Sequence, residues 1–458
     1  MKTAVINSKA LMADGYRIDP DIHMSEGVAI RRRLRSLPYT LSTVGENSER
    51  VFLGNIFSRV FVKDSEHGTP YLAASDTVLE NIDTGKYLSH RQCSELEYLK
   101  LQKDWILITC SGTLGNVTYT NRVFEGKIAT HDLIRVVPNN GLVNAGTLYA
   151  FLSSKYGYYQ ITQSMFGGVV KHINDKQMRE IVIPVFPNVV QDKVDKQIRS
   201  ASEYREMAYS CLSAARAEIQ KCIIKYAQHT DSFSPIKVLG VQNVVTQNHT
   251  RLDPTIYINR GIDNLKSIPS RKLGDCKVRM WYPGIFKRTY VKNGYPYIKG
   301  AAMFDRDPFK NCDQLSRTKT PGIEELWLKE GMLLVSCAGL CGQAKIITKE
   351  YEELCAIGSP DIIRIESADE LFTAEYLFAY MQLPQVFEYL QSFKYGSVIE
   401  RFDIQNLKNL PVLIPDSDLS RRVTAKIREY MSCVYNAFIL EHEAINIIEK
   451  TIEQASTI

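Results

Sequence analysis

The chain has 458 residues, 45% hydrophobic and 23% charged, with a formal net charge of +5. This is ordinary globular composition, which excludes a disordered polymer, and the length suggests roughly two to four domains, each able to bury its own core. No apolar run approaches the roughly 20 residues that cross a bilayer, and Met1 to Ser8 hold too short an apolar stretch for a signal peptide, so a cytosolic protein with no membrane partner is expected.

Followed from the start, the chain gives the same features twice in the same order, displaced by about 230 residues. Arg17, Asp19 and Pro20 return as Arg251, Asp253 and Pro254, and Gly68, Pro70 and Tyr71 as Gly294, Pro296 and Tyr297. Thr109-Cys110-Ser111-Gly112 returns as Ser336-Cys337-Ala338-Gly339, and Asp132-Leu133-Ile134-Arg135-Val136 as Asp361-Ile362-Ile363-Arg364-Ile365. A period this long duplicates a whole domain, since solenoid units repeat after about 20 to 50 residues. In each copy a polar stretch leads to a strand-like segment rich in β-favouring residues, Trp105 to Thr109 and Met332 to Ser336. A Gly-punctuated turn follows, then an apolar strand ending at Val137 or Ile365, then a helix, expected from Thr147 to Gln160 and from Thr373 to Tyr389. A second Gly-led loop, Gly167 to His172 or Gly396 to Arg401, precedes a short apolar strand closed by prolines. The mixture implies an α+β (mixed α/β) globule in each copy.

Each globule is followed by something different in kind. Apolar residues from Val190 to Tyr226, and again from Leu419 to Ile452, step by threes and fours, which predicts amphipathic helices of about 35 residues and about 50 Å. Stripes that long are most economically buried against each other, as an antiparallel coiled-coil-like pair; the alternative is that each helix folds back on its own globule. The expected division is a first globule over 1–187, a spacer helix over 188–228, a second globule over 229–415 and a C-terminal helix over 416–458.

Catalytic constellations are missing. The Gly-rich turns have the form Gly-x-x-Gly, far from a dinucleotide fingerprint, and Gly85-Lys86 and Gly126-Lys127 lack the Ser or Thr of a P-loop. No base-methylation tetrapeptide, Gly-x-Ser-x-Gly or His-Glu-x-x-His is present, and His131 has no assignable partner. Asp132 sits between strand-like residues, which favours a structural role. Ten scattered cysteines suit buried, reduced thiols, and Cys337 and Cys341 have no second ligand pair to complete a metal site. The chain reads as a non-catalytic binder. Its basic clusters, Arg31-Arg32-Arg33 with Arg35, Arg271-Lys272, Lys287-Arg288 and Arg421-Arg422, are compatible with phosphate contacts.

Tandem globules each followed by a long amphipathic helix, opened by Arg17-x-Asp19 and Arg251-x-Asp253, with strand-to-Gly turns at Ser111-Gly112 and Ala338-Gly339, resemble the specificity subunit of Type I restriction-modification systems. The resemblance runs from about residue 14 to 455. It implies two target-recognition domains, each reading half of a split, asymmetric DNA site, with the helix pair as a ruler. It further implies two methyltransferase subunits acting on adenine and motor-nuclease subunits as partners in a bacterial or archaeal cytoplasm. S-adenosylmethionine, ATP and Mg2+ are then expected on those partners, with no cofactor and no metal in this chain. An adaptor of the same architecture serving a different effector, or a methylation-only system, is the alternative.

Base-reading residues vary with the target in that family, so candidates come from the chemistry of the Gly-led loops: Thr113, Asn116, Lys171 and His172 in the first half, and Gln343, Lys345, Glu400 and Arg401 in the second. Arg and Lys suit guanine edges, Asn and Gln adenine, and Glu cytosine. Lys287, Arg288, Arg306, Arg317 and Lys319 are candidates for phosphate. Tyr204, Tyr209, Met431 and Phe438, expected on the exposed face of the helices, are candidates for docking the methyltransferase.

Overall fold

The apolar runs of both copies become the central strands of four-stranded antiparallel sheets, buried on both faces. The computed structural model describes residues 8, 12, 26–111, 114–163, 172–226, 265, 267–396, 398 and 400–455. Two compact units are formed, one from Met1–Glu206 with Asn436–Ile458 and the other from Met207–Tyr435.

In the first unit the strands are β1 (Leu41–Thr43), β2 (Ser48–Phe52), β3 (Phe61–Val62), β4 (Gly68–Leu72), β5 (Tyr87–Ser89), β6 (Ile106–Thr109), β7 (Val117–Tyr119), β8 (Ile128–Ala129), β9 (Leu133–Pro138) and β10 (Val182–Pro184). The main sheet has the order β2-β9-β6-β7, a second sheet has β3-β5-β4-β8, and β1 pairs with β10. Successive residues of a strand face opposite sides. Accordingly Ile106, Ile108, Ile134 and Val136 enter the larger core beneath the helices, while Leu107 and Leu133 join Trp105, Phe124 and Ala129 in a smaller core on the other face.

The second unit repeats this plan with β11 (Ser270–Lys272), β12 (Val278–Trp281), β13 (Tyr290–Ile298), β14 (Asp313–Leu315), β15 (Leu333–Ser336), β16 (Ala344–Ile346), β17 (Ile357–Gly358), β18 (Ile362–Ser367) and β19 (Pro411–Leu413). Its main sheet has the order β12-β18-β15-β16, β14-β13-β17 forms the second, and β11 pairs with β19. The parallel pairing of β4 with β8 recurs as that of β13 with β17.

Each expected single helix after β9 and β18 is two helices. Residues Ala145–Ser153 and Lys155–Gln163 are separated by Ser154, whose backbone is extended; its hydroxyl donates to the Phe151 carbonyl at 2.6 Å and accepts from the Gly157 amide at 3.4 Å. A serine thus ends one helix and caps the next. Gly157 is required there, because a Cβ would lie 2.4 Å from the Phe151 carbonyl oxygen. In the second unit, Ala374–Met381 and Pro384–Gln391 are separated by Gln382 and an extended Leu383, with Pro384 at the first helical position where its missing N–H costs nothing.

Both long helices have 39 residues, Asn188–Tyr226 and Ser417–Ala455, about 58 Å each. Within the first unit Val194 and Ile198 share a core with Ala444, Ile448 and Ile452. Arg205 and Glu441 form a largely buried ion pair there, and the Tyr149 hydroxyl donates to the same carboxylate. Within the second unit Glu218 meets Arg422 at 2.8 Å and Lys426 at 3.7 Å, while Cys211 faces Glu429 and Cys433. Partner numbers fall on one helix as they rise on the other, so the pairing is antiparallel. No helix among the described residues is long and apolar enough to cross a membrane.

The least expected core residues are two arginines. Arg135 on β9 and Arg364 on β18 are fully buried, opposite Leu107 and Leu334 respectively. The Arg135 guanidinium donates to the carbonyls of Leu133 (2.9 Å), Ala129 (2.8 Å) and Thr130 (3.0 Å). Arg364 donates to those of Ile362 (2.7 Å), Gly358 (2.8 Å) and Ser359 (3.1 Å), the same positions of the repeat. Neither has a carboxylate partner among the described residues, and burial pushes both guanidinium groups down to about 10. The fork ties the turn between β8 and β9, or β17 and β18, to the sheet, a geometry a single ammonium cannot copy. Arg364→Lys should therefore leave carbonyls unpaired and destabilise the second unit by about 2–4 kcal/mol. A urea melt followed by Trp281 and Trp327 fluorescence reads this directly, and an unchanged midpoint would show that the fork is dispensable.

Candidate functional site

The turns leaving β6 and β15 place the candidate residues. Gly115 and Gly342 have φ of 82° and 83°, a left-handed conformation that glycine adopts without strain. Their amides donate to Thr109 and Ser336 carbonyls at 3.2 and 2.8 Å, closing the two turns in the same way. Behind each turn lies the loop pinned by the buried arginine: the Cys110 amide donates to the Asp132 carbonyl, and the Cys337 amide to that of Asp361, both at 3.3 Å. A third segment joins on the other side. Ile173 and Phe402 donate their amides to the Cys110 and Cys337 carbonyls at 3.3 and 3.1 Å, and residues 111 and 172, or 338 and 401, pair as isolated bridges.

In the first unit this brings His172 beside Ser111, with the half-buried Asn116 at the far end of the turn. Thr113 and Lys171 lie outside the described residues. In the second unit Glu400 and Arg401 are exposed beside the turn, with Gln343 half-buried at its end. Arg401 points a terminal nitrogen at the Asp361 carboxylate at 3.5 Å, Lys394 pairs with Glu400, and the Tyr395 ring stands exposed where its backbone pairs with Arg401. The carboxylate of Asp361, for which the sequence favoured a structural role as for its counterpart Asp132, is placed to orient Arg401. Asp132 accepts from the Thr130 hydroxyl at 3.3 Å and lies 3.8 Å from Arg59.

Two expectations are corrected. Lys345 is 4% exposed, because it lies on β16 opposite Leu334 rather than in the turn; its equivalent in the first unit, Thr118, is buried too. Its charge instead attracts that of Asp305. Met431 and Phe438 are also buried, at 7% and 6% exposure, so they do not lie on an open helix face; the Phe438 ring lies tilted against His442, with centroids 4.1 Å apart. Tyr204 and Tyr209 are half-buried. Of the phosphate candidates, Lys287, Arg288, Arg317 and Lys319 are exposed and Arg306 is half-buried. Arg317 stands 5.1 Å over the Tyr295 ring.

Chemically the described residues of the two turns offer hydrogen-bond donors and acceptors at the end of an interior strand of each main sheet. Burial pushes the Cys110 and Cys337 thiols up to about 11, which makes them inert at neutral pH. Among the described residues no group of three or more His, Cys, Asp or Glu could hold a metal ion.

Residues 51–199 and 282–450 match the model of the Type I restriction modification DNA specificity domain. These stretches make up well over half of the chain, which belongs to that family. The chain is also similar to the S subunit of a Type I restriction-modification system from M. genitalium, with 11% identity over 90% of this chain and 96% of that one, at a TM-score of 0.37. Against the HsdS subunit from Thermoanaerobacter tengcongensis the identity is 13% over 92% and 97% of the two chains, at a TM-score of 0.28. No curated protein matches it.

Burial, reinforced by the Asp307 carboxylate and opposed by Lys345, pushes the Asp305 carboxyl up to about 6. The folded second unit thus holds a proton that the unfolded chain has released, so this contribution to stability is present at acid pH and lost as pH rises from about 4 through 6. Asp305→Asn should flatten the fall in denaturation midpoint between about pH 4 and pH 7; an identical pH profile in the variant would show that another group titrates.

Proposed function

We propose that this chain is the DNA-reading subunit of a Type I restriction-modification assembly, in which each unit reads one half of a split, asymmetric target. The observation that carries this reading is a shared frame with divergent contents. The bonds among the turn, the arginine-pinned loop and the third segment are the same in both units, while His172 stands where Arg401 stands and Asn116 where Gln343 stands. A frame held constant while its presented side chains change suits two readers of different base sequences. Each well-placed pair contributes about 1–3 kcal/mol of discrimination, so one half-site alone specifies little. Linking two readers makes the second binding event intramolecular and raises specificity without new contacts.

On this reading the chain supplies an address and no chemistry. Two partner methyltransferase subunits transfer methyl groups from S-adenosylmethionine to adenine, and motor-nuclease subunits use ATP and Mg2+. The reading domains are 1–187 and 229–415, and the helices 188–228 and 416–458 act as the spacer and as the docking face for the methyltransferases, with Tyr204 and Tyr209 among the contacts. Arg401 and Gln343 read bases in the second half-site, His172 and Asn116 in the first, and Lys171 and Thr113 join the first set.

Long-read methylation mapping in a methylation-free host, with the chain and its methyltransferase expressed together, tests this reading. A split adenine-methylated motif is expected only when the chain is present. Arg401→Ala should relax or change the second half of that motif and leave the first half intact. Loss of both halves together would contradict the division of labour, and unchanged methylation from the methyltransferase alone would contradict the reading itself. Inserting one heptad into each helix should lengthen the gap between half-sites without altering either; an unchanged gap would overturn the spacer role.

A further inference from the structure

Beside the divergent turns, each unit carries a surface loop that has not diverged. Ile56-Phe57-Ser58-Arg59 follows β2, and Ile285-Phe286-Lys287-Arg288 follows β12 at the same position of the repeat. Phe57 is packed against the small core of Tyr71, Leu88, Leu99 and Ile128, and Phe286 against that of Tyr297, Leu315, Leu326 and Ile357. The arginine of each loop stands over the tyrosine of that core, Arg59 at 5.8 Å from the Tyr71 ring and Arg288 at 5.7 Å from the Tyr297 ring. Each loop ends in the same bond, from Ser89 to the Val60 carbonyl and from Ser316 to the Thr289 carbonyl, both 2.9 Å. With the phenylalanine fixed inward, the isoleucine is thrown outward: Ile56 is 86% exposed and Ile285 is 95% exposed.

One exposed isoleucine needs no explanation. The same isoleucine and the same arginine, exposed at the same place in two units whose turns differ, point to a partner feature common to both halves. The charge around them says which feature. No Asp or Glu occurs from Arg50 to Lys63, where Arg50, Arg59 and Lys63 lie, or from Cys276 to Phe304, where Lys287, Arg288 and Lys292 lie. Cationic segments free of acids complement a polyanion, and in a duplex the sugar–phosphate backbone is what every half-site shares.

We propose that the Ile-Phe-x-Arg loop is a duplicated, sequence-independent DNA clamp. In each unit the arginine binds a phosphate beside the half-site, and the isoleucine lies against the sugar edge of the groove. Arg59 is thereby the first unit's counterpart of Arg288. It rests against Asp132 at 3.8 Å and donates to the Thr130 hydroxyl at 3.2 Å, in a pair more than a third exposed. Such pairs contribute little, so a phosphate displaces the carboxylate at small cost. The clamp rests on the DNA-reading function proposed above.

Its test uses the full chain bound to its methyltransferase, with duplexes carrying the mapped target or a scrambled one. Arg59→Gln and Arg288→Gln should each weaken binding several-fold, equally on both duplexes, and each should reduce the slope of log affinity against log salt by about 1. Ile56→Ser and Ile285→Ser should weaken both duplexes without changing that slope. All four side chains are exposed, so the thermal midpoint should stay unchanged. A changed ratio between target and scrambled duplex would mean that the loop reads bases. Unchanged DNA binding, or loss of the methyltransferase with DNA binding intact, would overturn the clamp. A wild-type complex that binds every duplex alike would remove the specificity reading, while the clamp would stand if the arginine variants still weakened binding.

Discussion

The fold depends on a guanidinium group buried without a counter-ion. Isolated charges are expensive inside proteins, and most are paired with a carboxylate or kept near water. Arg135 and Arg364 are instead solvated by the main chain, each by three carbonyls at the end of one strand and the start of the next. In both, Nε lacks a hydrogen-bond partner. A carboxylate partner would neutralise the group but would not organise backbone. The carbonyl cage does the reverse: it leaves the charge standing and fixes the course of the loop carrying Asp132 or Asp361. That loop holds the turn after β6 or β15, and the third segment is hung on the turn. The geometry of the presented side chains therefore depends on a residue that presents nothing itself.

Much of this architecture is legible in the sequence, for a reason that particular residues show. Ile106 to Ile108 and Leu333 to Val335 are apolar on every residue because both faces of their strands are covered, and the repeat of Asp-x-x-Arg marks the same turn twice. The helix stripes are legible because they keep their spacing over 39 residues. What stays hidden depends on the third dimension. Nothing local distinguishes Lys345, buried on β16, from a lysine in the turn before it, since the strand begins only one residue earlier. Met431 and Phe438 step along the helix at positions that suit either an inner or an outer face. Ser154 is no helix breaker by type, and only its hydrogen bonds reveal the break; Pro384 was the visible sign in the other copy. Arg59 was hidden by isolation, because a single arginine without a basic neighbour carries no signal until its equivalence to Arg288 is seen.

A division between constant and variable parts follows. The main four-stranded sheets, the arginine cages and the Phe57 and Phe286 anchors are the same in both units. His172 and Arg401, or Asn116 and Gln343, are not. Membership of the Type I restriction-modification DNA specificity family fits a molecule whose scaffold is tightly determined while its surface contents are free to change. Where such contents are exposed, as at Arg401, altering them costs little stability, because exposed side chains away from caps and cores contribute within about half a kcal/mol.

The composition of the first unit also governs the order in which the molecule is finished. Its core includes Ala444, Ile448 and Ile452, which leave the ribosome after every residue of the second unit. The second unit is one continuous stretch, complete as soon as Tyr435 is made. The first half to be synthesised is thus the last to be completed, with Val194 and Ile198 lacking the Ala444, Ile448 and Ile452 side of their core and Arg205 lacking Glu441 while more than two hundred residues are added. Domains of a growing chain generally fold in the order of synthesis; here the long loop between the two parts of one core reverses that order, and the early half must wait, partly uncovered, for its closing helix.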